Sequence, residues 1–438
     1  ILFDPLSQIP GPFLAKFSSL WVVLQCRQAK RSISTLHQHR MHGEFVRIAP
    51  KHISISNKEA LETIYGHKSG FTKVEPALFN TQDVQVHQRK RRYLSAAFSA
   101  KNLKEYEPHM TEQISKLMQC FNRHTKDKKS AEVDFNDYCE YAGDYSFGKS
   151  FGFLDHERDH LNLIAIIDAR GEVLNALGHI PQFLRPMMKY FFLDSFWPRG
   201  LRATSNLAWI GKNAYFQRRD QESSRKDLLS FLFNAKDPDT EAALSENEII
   251  AESISFIVGG SDTTSSTMTN VVDIVSRVPE IQQQLQRELD QAFPSPIPGN
   301  WVADFQTVNQ LPILNAVVRE TMRFKPTSST GLERVTPAGG KIIAGQYIPE
   351  GNPEVFDISR WTNGSSSDLL DSFFPFSTGP RACIGRNFAW MEMLKTLATI
   401  FRLFEIERIN ELETEVREGF FVKNSECNVR VRPREARE

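Results

Sequence analysis

Near its C-terminal end the chain reads Phe376-Ser377-Thr378-Gly379-Pro380-Arg381-Ala382-Cys383-Ile384-Gly385. Most of these positions carry a chemical requirement. Gly379 and Gly385 let a backbone turn tightly and approach a flat ligand closely. Pro380 fixes one dihedral of the turn. Arg381 offers a guanidinium fork to a carboxylate. A helix expected to start near Ile384 directs its positive end at Cys383 and favours the thiolate over the thiol. Phe376 is placed to shield that sulfur from water. The pattern Phe-x-x-Gly-x-Arg-x-Cys-x-Gly therefore offers one cysteine thiolate as a ligand from a protected loop.

Working outward, the rest of the chain narrows the chemistry. It has 438 residues, 40% of them hydrophobic, which suffices for a sizeable core. Lys and Arg together equal Asp and Glu at 53 each, so net charge favours no particular partner. The other cysteines, Cys26, Cys120, Cys139 and Cys427, form no C-x-x-C and no dense framework, as in a reducing compartment. No apolar run approaches the ~20 residues of a membrane span. There is no G-x-G-x-x-G after a strand and no G-x-x-x-x-G-K-[ST]. The chain thus lacks an evident nicotinamide, flavin or ATP site, and any electrons must come from a separate protein.

Periodicity predicts a helix over 13–43, two short paired strands at 44–48 and 52–55, long helices from about 86 to 325, and a last helix over 385–403. Gly259-Gly260-Ser261-Asp262-Thr263-Thr264 falls inside a helix predicted over 247–277. A glycine pair in a helix interior costs roughly 1 kcal/mol per residue relative to Ala and marks a local widening. Glu320 and Arg323 stand at i and i+3 on one helix, where side chains meet. His87 and Arg91 stand at i and i+4 on another, beside Arg89, Lys90 and Arg92. His156-Glu157-Arg158-Asp159-His160 matches H-E-x-x-H, with Glu172 downstream as a third ligand. A zinc hydrolase using His156 and His160 is therefore an alternative, weakened by the charged variable positions and the turn-like Gly152-Phe153-Leu154-Asp155 before them.

With the cysteine loop, the Gly-Gly-Ser-Asp-Thr-Thr stretch and the E-x-x-R pair together, the chain resembles the haem-thiolate monooxygenases, the cytochrome P-450 superfamily. That resemblance implies a mainly α fold with a small β-rich region, a Pro-rich hinge over 1–12 around Ile9-Pro10-Gly11-Pro12, and a single haem domain over 13–438. It implies haem b with Cys383 as axial ligand to iron, beside Phe376 and Gly385. Arg381, His87, Arg91 and Arg334 would anchor the propionates. Thr263 would hold the water that feeds protons to dioxygen, and Asp262 would relay protons from solvent. Arg360, in Phe356-Asp357-Ile358-Ser359-Arg360-Trp361, would join Glu320 and Arg323 in a structural triad, although Ile358-Ser359 replaces the family's Pro-Glu. Arg89, Lys90 and Arg92 would form a basic surface for an NADPH–cytochrome reductase. The chain starts at Ile1, so a membrane anchor preceding the hinge and the cytosolic face of the endoplasmic reticulum are expected of the full-length protein.

Among family members the chain is most similar to fungal benzoate para-hydroxylases. The similarity lies in Pro12-Phe13-Leu14-Ala15-Lys16-Phe17-Ser18, Ile64-Tyr65-Gly66-His67, Arg170-Gly171-Glu172-Val173 and Arg417-Glu418-Gly419-Phe420. It implies a small aromatic carboxylic acid as substrate. Two departures stand out. The chain is short between Phe71 and Leu78, and Gly351 runs directly into Asn352 where the family has a strand and a short helix. The second departure is expected to threaten the Arg360 contact with Glu320 and to lower haem occupancy. A degenerate haem-binding paralogue without turnover is thus a further alternative.

Overall fold

The computed structural model describes residues 6–65, 83–126, 128–142, 152–191, 194–220, 227–236, 241–298, 301–329, 358–362, 373–410 and 414–434. The described chain is mainly α-helical, with three small antiparallel sheets. Its axis is the central helix, Glu246–Arg277. Ser245 starts that helix with a capping box: its hydroxyl accepts from the Glu248 N–H at 3.3 Å, and the Glu248 carboxylate accepts from the Ser245 N–H at 3.1 Å. From Thr264 to Ser276 every residue is buried, so the helix threads the core rather than lying on it. Its hydroxyls are accommodated locally. Thr267 donates to the Thr263 carbonyl at 2.9 Å and Ser266 to the Asp262 carbonyl at 2.5 Å, one turn back.

The C-terminal helix, Arg386–Leu403, is buried from Met391 to Arg402 and packs against the central helix. Helices Ala100–Thr125, Pro279–Ala292 and Pro312–Phe324 complete this bundle. Strand Phe45–Ala49 pairs antiparallel with His52–Ile55. Strand Asn428–Pro433 lies between Ala131–Asp134 and Phe404–Arg408. Val416–Glu418 and Val422–Asn424 form a hairpin, whose tip meets helix Leu163–Leu177.

Two expectations are corrected. The helix expected over 13–43 is three pieces: a 3-10 turn Phe13–Lys16 and helices Leu20–Arg27 and Arg31–His42. The break falls at Ala29, whose φ of 53° is left-handed and cannot continue a right-handed helix. Nor does the glycine pair interrupt the central helix, which stays α-helical through Gly259 and Gly260. Among the described residues, no helix is long and apolar enough to cross a membrane.

Candidate active site

The loop before the C-terminal helix is held by its own backbone. The Cys383 N–H donates to the Phe376 carbonyl at 2.7 Å, and Ala382 N–H to Gly379 carbonyl at 3.1 Å. Gly379 has φ of 73°, a left-handed conformation that favours glycine. Gly385 does not: it precedes the helix at φ of −83°. A Cβ there would instead stand 4.0 Å from the Cys383 sulfur and 3.9 Å from the Phe98 ring, so glycine keeps the approach to the sulfur open.

Cys383 is exposed, yet protein crowds its flank. Desolvation there pushes the thiol up from its ordinary value, against the pull of the Gly385 and Arg386 N–H groups and of the Arg91 and Arg386 charges. The expected lowering by the helix end is thus present as a contribution but outweighed by desolvation. A coordinated cation reverses this balance, because a coordinating thiol is deprotonated outright. Phe376 packs at 6.5 Å from Trp390, with the Arg386 guanidinium 5.9 Å from its ring centre.

Helix Val84–Ala97 reaches this loop. Asp83 caps it by accepting from the N–H groups of Gln85 and Val86 at 2.7 and 2.9 Å. Arg91 Nη1 donates to the Ala382 carbonyl at 2.7 Å, which places the guanidinium beside Cys383. His87 lies one turn earlier, half-buried. Arg381 is half-buried in the 3-10 turn Gly379–Arg381. Arg334 lies outside the described residues, as do both short segments of the chain, Phe71–Leu78 and Gly351–Asn352. The neighbouring charges have partners within the chain. Arg89 pairs with Glu248 at 2.8 Å and Lys90 with buried Glu252 at 3.5 Å, so both tie this helix to the central one, while Arg89 stays exposed. Arg92 is exposed.

On the central helix, the Thr263 hydroxyl donates to the Gly259 carbonyl at 2.7 Å. Among the described residues, a Cβ added at Gly259 or Gly260 would meet nothing within 4 Å, so there the pair leaves one flank of the helix open. One turn earlier, Phe256 meets Phe98 edge-on at 5.6 Å, the same ring that faces Gly385. Phe98 thereby links the central helix to the cysteine loop.

Asp262 belongs to a cluster that sequence spacing did not reveal. Lys423, from the hairpin, stands 3.0 Å from Glu140 and 3.8 Å from Asp262, and closer still to Asp168. Burial and the Asp168 charge raise the Asp262 carboxyl to about 6, against the pull of Lys423 and Arg170. Burial likewise raises Glu140 to about 7, despite Lys423. A carboxyl poised near neutrality can both take and give a proton at working pH.

Glu320 is fully buried and accepts from Arg323 twice, at 2.8 and 2.7 Å. Arg360 Nε is 3.4 Å from the same carboxylate, and the Trp361 indole N–H donates to it at 2.8 Å. The contact that the short connection after Gly351 was expected to threaten is therefore present. Trp361 is an additional partner, adjacent to Arg360 in the stretch already singled out.

The H-E-x-x-H stretch does not form a zinc-binding helix. The helix Phe153–His156 ends at Glu157, whose φ of 48° breaks the helical turn; the His156 and His160 rings still meet edge-on, 4.6 Å between centroids, but no third ligand joins them among the described residues. Glu157 instead accepts from Arg123 at 2.6 Å and Tyr138 at 2.6 Å. Glu172 pairs with Arg417 at 2.5 Å and Arg199 at 2.8 Å. Among the described residues there is no group of three or more metal-ligating side chains.

The helical bundle around a loop-borne cysteine defines a class of protein. The family model described as cytochrome P450 matches residues 16–352 and 351–429, and the chain belongs to that family. It is similar to a benzoate 4-monooxygenase of Aspergillus niger, with 34% identity over 480 aligned positions that cover 95% of this chain and 91% of the relative. Cytochrome P450 monooxygenases of Botryotinia fuckeliana and Penicillium roqueforti are 27% and 26% identical, each over 93% of this chain and over 82% and 85% of their own lengths. The two matched pieces meet at 351–352, the position of the shortened connection. The 480 aligned positions exceed the 438 residues here, so the Aspergillus relative carries stretches that this chain lacks.

The family's cofactor is haem held by a cysteine thiolate. The residues present fit it: an exposed soft sulfur, N–H donors from Gly385 and Arg386 directed at that sulfur, and no side chain on Gly385.

Proposed function

We propose that this cytochrome P450 monooxygenase hydroxylates a small aromatic carboxylic acid such as benzoate, using haem b with Cys383 as its axial ligand. The observation that carries the substrate class is the identity to the Aspergillus benzoate 4-monooxygenase across nearly the whole of both chains. When bound, haem supplies the redox chemistry that inserts one oxygen atom into the substrate and reduces the other to water. The chain's own residues supply the rest. Arg91 holds the carbonyl next to Cys383. Arg381, His87 and Arg334 anchor propionates. Thr263 holds a water at the open flank of the central helix, and Asp262 moves protons to it from the Lys423 cluster. Electrons come from an NADPH–cytochrome reductase at the cytosolic face of the endoplasmic reticulum membrane.

Two of the stretches that resemble benzoate hydroxylases support this reading, because they touch. Gly171 and Gly419 approach so closely that a Cβ on Gly171 would stand 3.3 Å from the Phe420 nitrogen. Arg417 pairs with Glu172 across the same contact. The test is a benzoate titration of the haem-loaded protein followed by product analysis with reductase. A low- to high-spin shift and a ring-hydroxylated product are expected. Unchanged spin state with benzoate and its analogues would overturn the substrate class.

A further inference from the structure

Four carboxylates and four cations gather where helix Leu163–Leu177 and the hairpin meet the central helix. The carboxylates are Glu140, Asp168, Glu172 and Asp262. Three of the cations are in ion pairs: Lys423 with Glu140, Asp168 and Asp262; Arg417 with Glu172 and, at 3.5 Å, Asp168; Arg199 with Glu172. The fourth, Arg170, forms no hydrogen bond or ion pair with the described residues, although it is half-buried. It lies close enough to Asp262 for their charges to act on each other.

We infer that Arg170 is the anchor for the substrate's carboxylate, an inference that rests on the aromatic-acid reading above. Helix geometry explains why this guanidinium is left over. Asp168 and Glu172 are one turn apart and share the face that meets the hairpin. Arg170 is two residues from each, about 200° around the helix, and so leaves that face. A partly desolvated guanidinium with no hydrogen-bonded anion is costly, and its planar fork matches a carboxylate in two parallel hydrogen bonds. None of the four carboxylates fills that place: each already meets Lys423, Arg417 or Arg199. Protonation of Glu140 near neutrality leaves the cluster with surplus positive charge, which suits an incoming anion.

Position agrees with this role. Arg170 is within electrostatic reach of Asp262, the residue that immediately precedes Thr263 on the central helix. Arg170 cannot drift away with its helix. Next to it, Gly171 is packed against the hairpin backbone, and Asn175 donates to the Gly419 carbonyl at 2.8 Å. An aromatic acid held there by its carboxylate directs the opposite, para end of its ring away from the guanidinium.

The test is calorimetric titration of haem-loaded protein with benzoate and with benzamide, a neutral analogue of the same shape. Arg170→Gln is expected to weaken benzoate at least 10-fold and to change benzamide less than 3-fold. Arg170→Lys is expected to recover part of the benzoate affinity. The reduced, carbon-monoxide-bound spectrum of each variant reports whether the haem site is intact. If Arg170→Gln does not load haem, Arg170→Lys carries the test, and its loss of benzamide as well as benzoate binding overturns the proposal. Wild-type binding of benzoate that Arg170→Gln leaves unchanged overturns the anchor alone. Failure of the wild type to bind benzoate or any aromatic acid overturns the anchor and the aromatic-acid reading together.

Discussion

Arg91 donates a 2.7 Å hydrogen bond to the carbonyl of Ala382, the residue immediately before Cys383. A helix nearly three hundred positions away in sequence thus fixes the ligand loop through one charge-assisted bond. Arg91→Ala removes it and leaves a partly buried carbonyl with one donor fewer, a loss of about 1.5–3 kcal/mol for a bond to a charged group. The variant is expected to melt at lower temperature and to hold less haem per chain. A haem-to-protein ratio and melting point equal to wild type would show that the bond is dispensable.

Cys383 is expected to be the protein's axial ligand. Reduced protein with carbon monoxide should show the red-shifted Soret band of thiolate ligation, and Cys383→Ala should lose it. Removal of haem gives a second readout. Because desolvation raises the free thiol, haem-free protein should alkylate slowly at pH 7 and faster as pH rises through 9, despite the exposure of the sulfur. Rapid alkylation at pH 6 would contradict this.

Thr263→Ala should cost little stability, because the hydroxyl bonds only to its own helix, at the Gly259 carbonyl. The expected change is about 1 kcal/mol or less. Haem and substrate binding should persist while reducing equivalents are diverted to peroxide. Product yield per electron equal to wild type would remove Thr263 from proton delivery.

Glu252 makes stability depend on pH. Burial raises its carboxyl to about 7, against the pull of Lys90. Its contribution is fully present below about pH 4.3, the unfolded value, and is lost as pH rises through about 7. The loss amounts to about 4 kcal/mol at most. Glu252→Gln should therefore flatten the decline in unfolding free energy between pH 5 and 8. An unchanged slope in denaturant titrations across that range would refute the assignment.

Trp361→Phe should destabilise the buried Glu320 cluster by about 1–2 kcal/mol, since the carboxylate loses one of its N–H donors in the interior. Denaturant midpoints of the variant and of Arg360→Ala should both fall. The double variant should lose less than the sum, because the two residues share one acceptor.

How legible each feature was in sequence depended on whether its physics is local. The cysteine loop is a contiguous run in which each residue type constrains its neighbours, so it could be read directly. The central helix, predicted over 247–277 from its helical pattern, runs from Glu246 to Arg277; the Ser245–Glu248 capping box that sets its start went unread in the sequence. The break at Ala29 left no trace, since alanine carries no signal for a left-handed turn. The charge run that holds Arg89 and Lys90 did not reveal their partners within the chain, Glu248 and Glu252. The Lys423 cluster draws on residues 140, 168, 262 and 423, which only the tertiary fold assembles. Arg170 was visible as part of a familiar stretch, but its lack of a hydrogen-bonded or ion-paired carboxylate among the described residues exists only in three dimensions.

The bond from Thr263 to Gly259 has one more consequence. A hydroxyl has a single proton, and here that proton points back along the helix. The oxygen then faces the open flank with lone pairs alone. Any water resting on Thr263 must point a hydrogen at it, which leaves the water's other hydrogen free to face outward and its lone pairs to be filled from the side of Asp262. If protons travel by the proposed route, the backbone bond thereby fixes the direction in which Thr263 can meet a water.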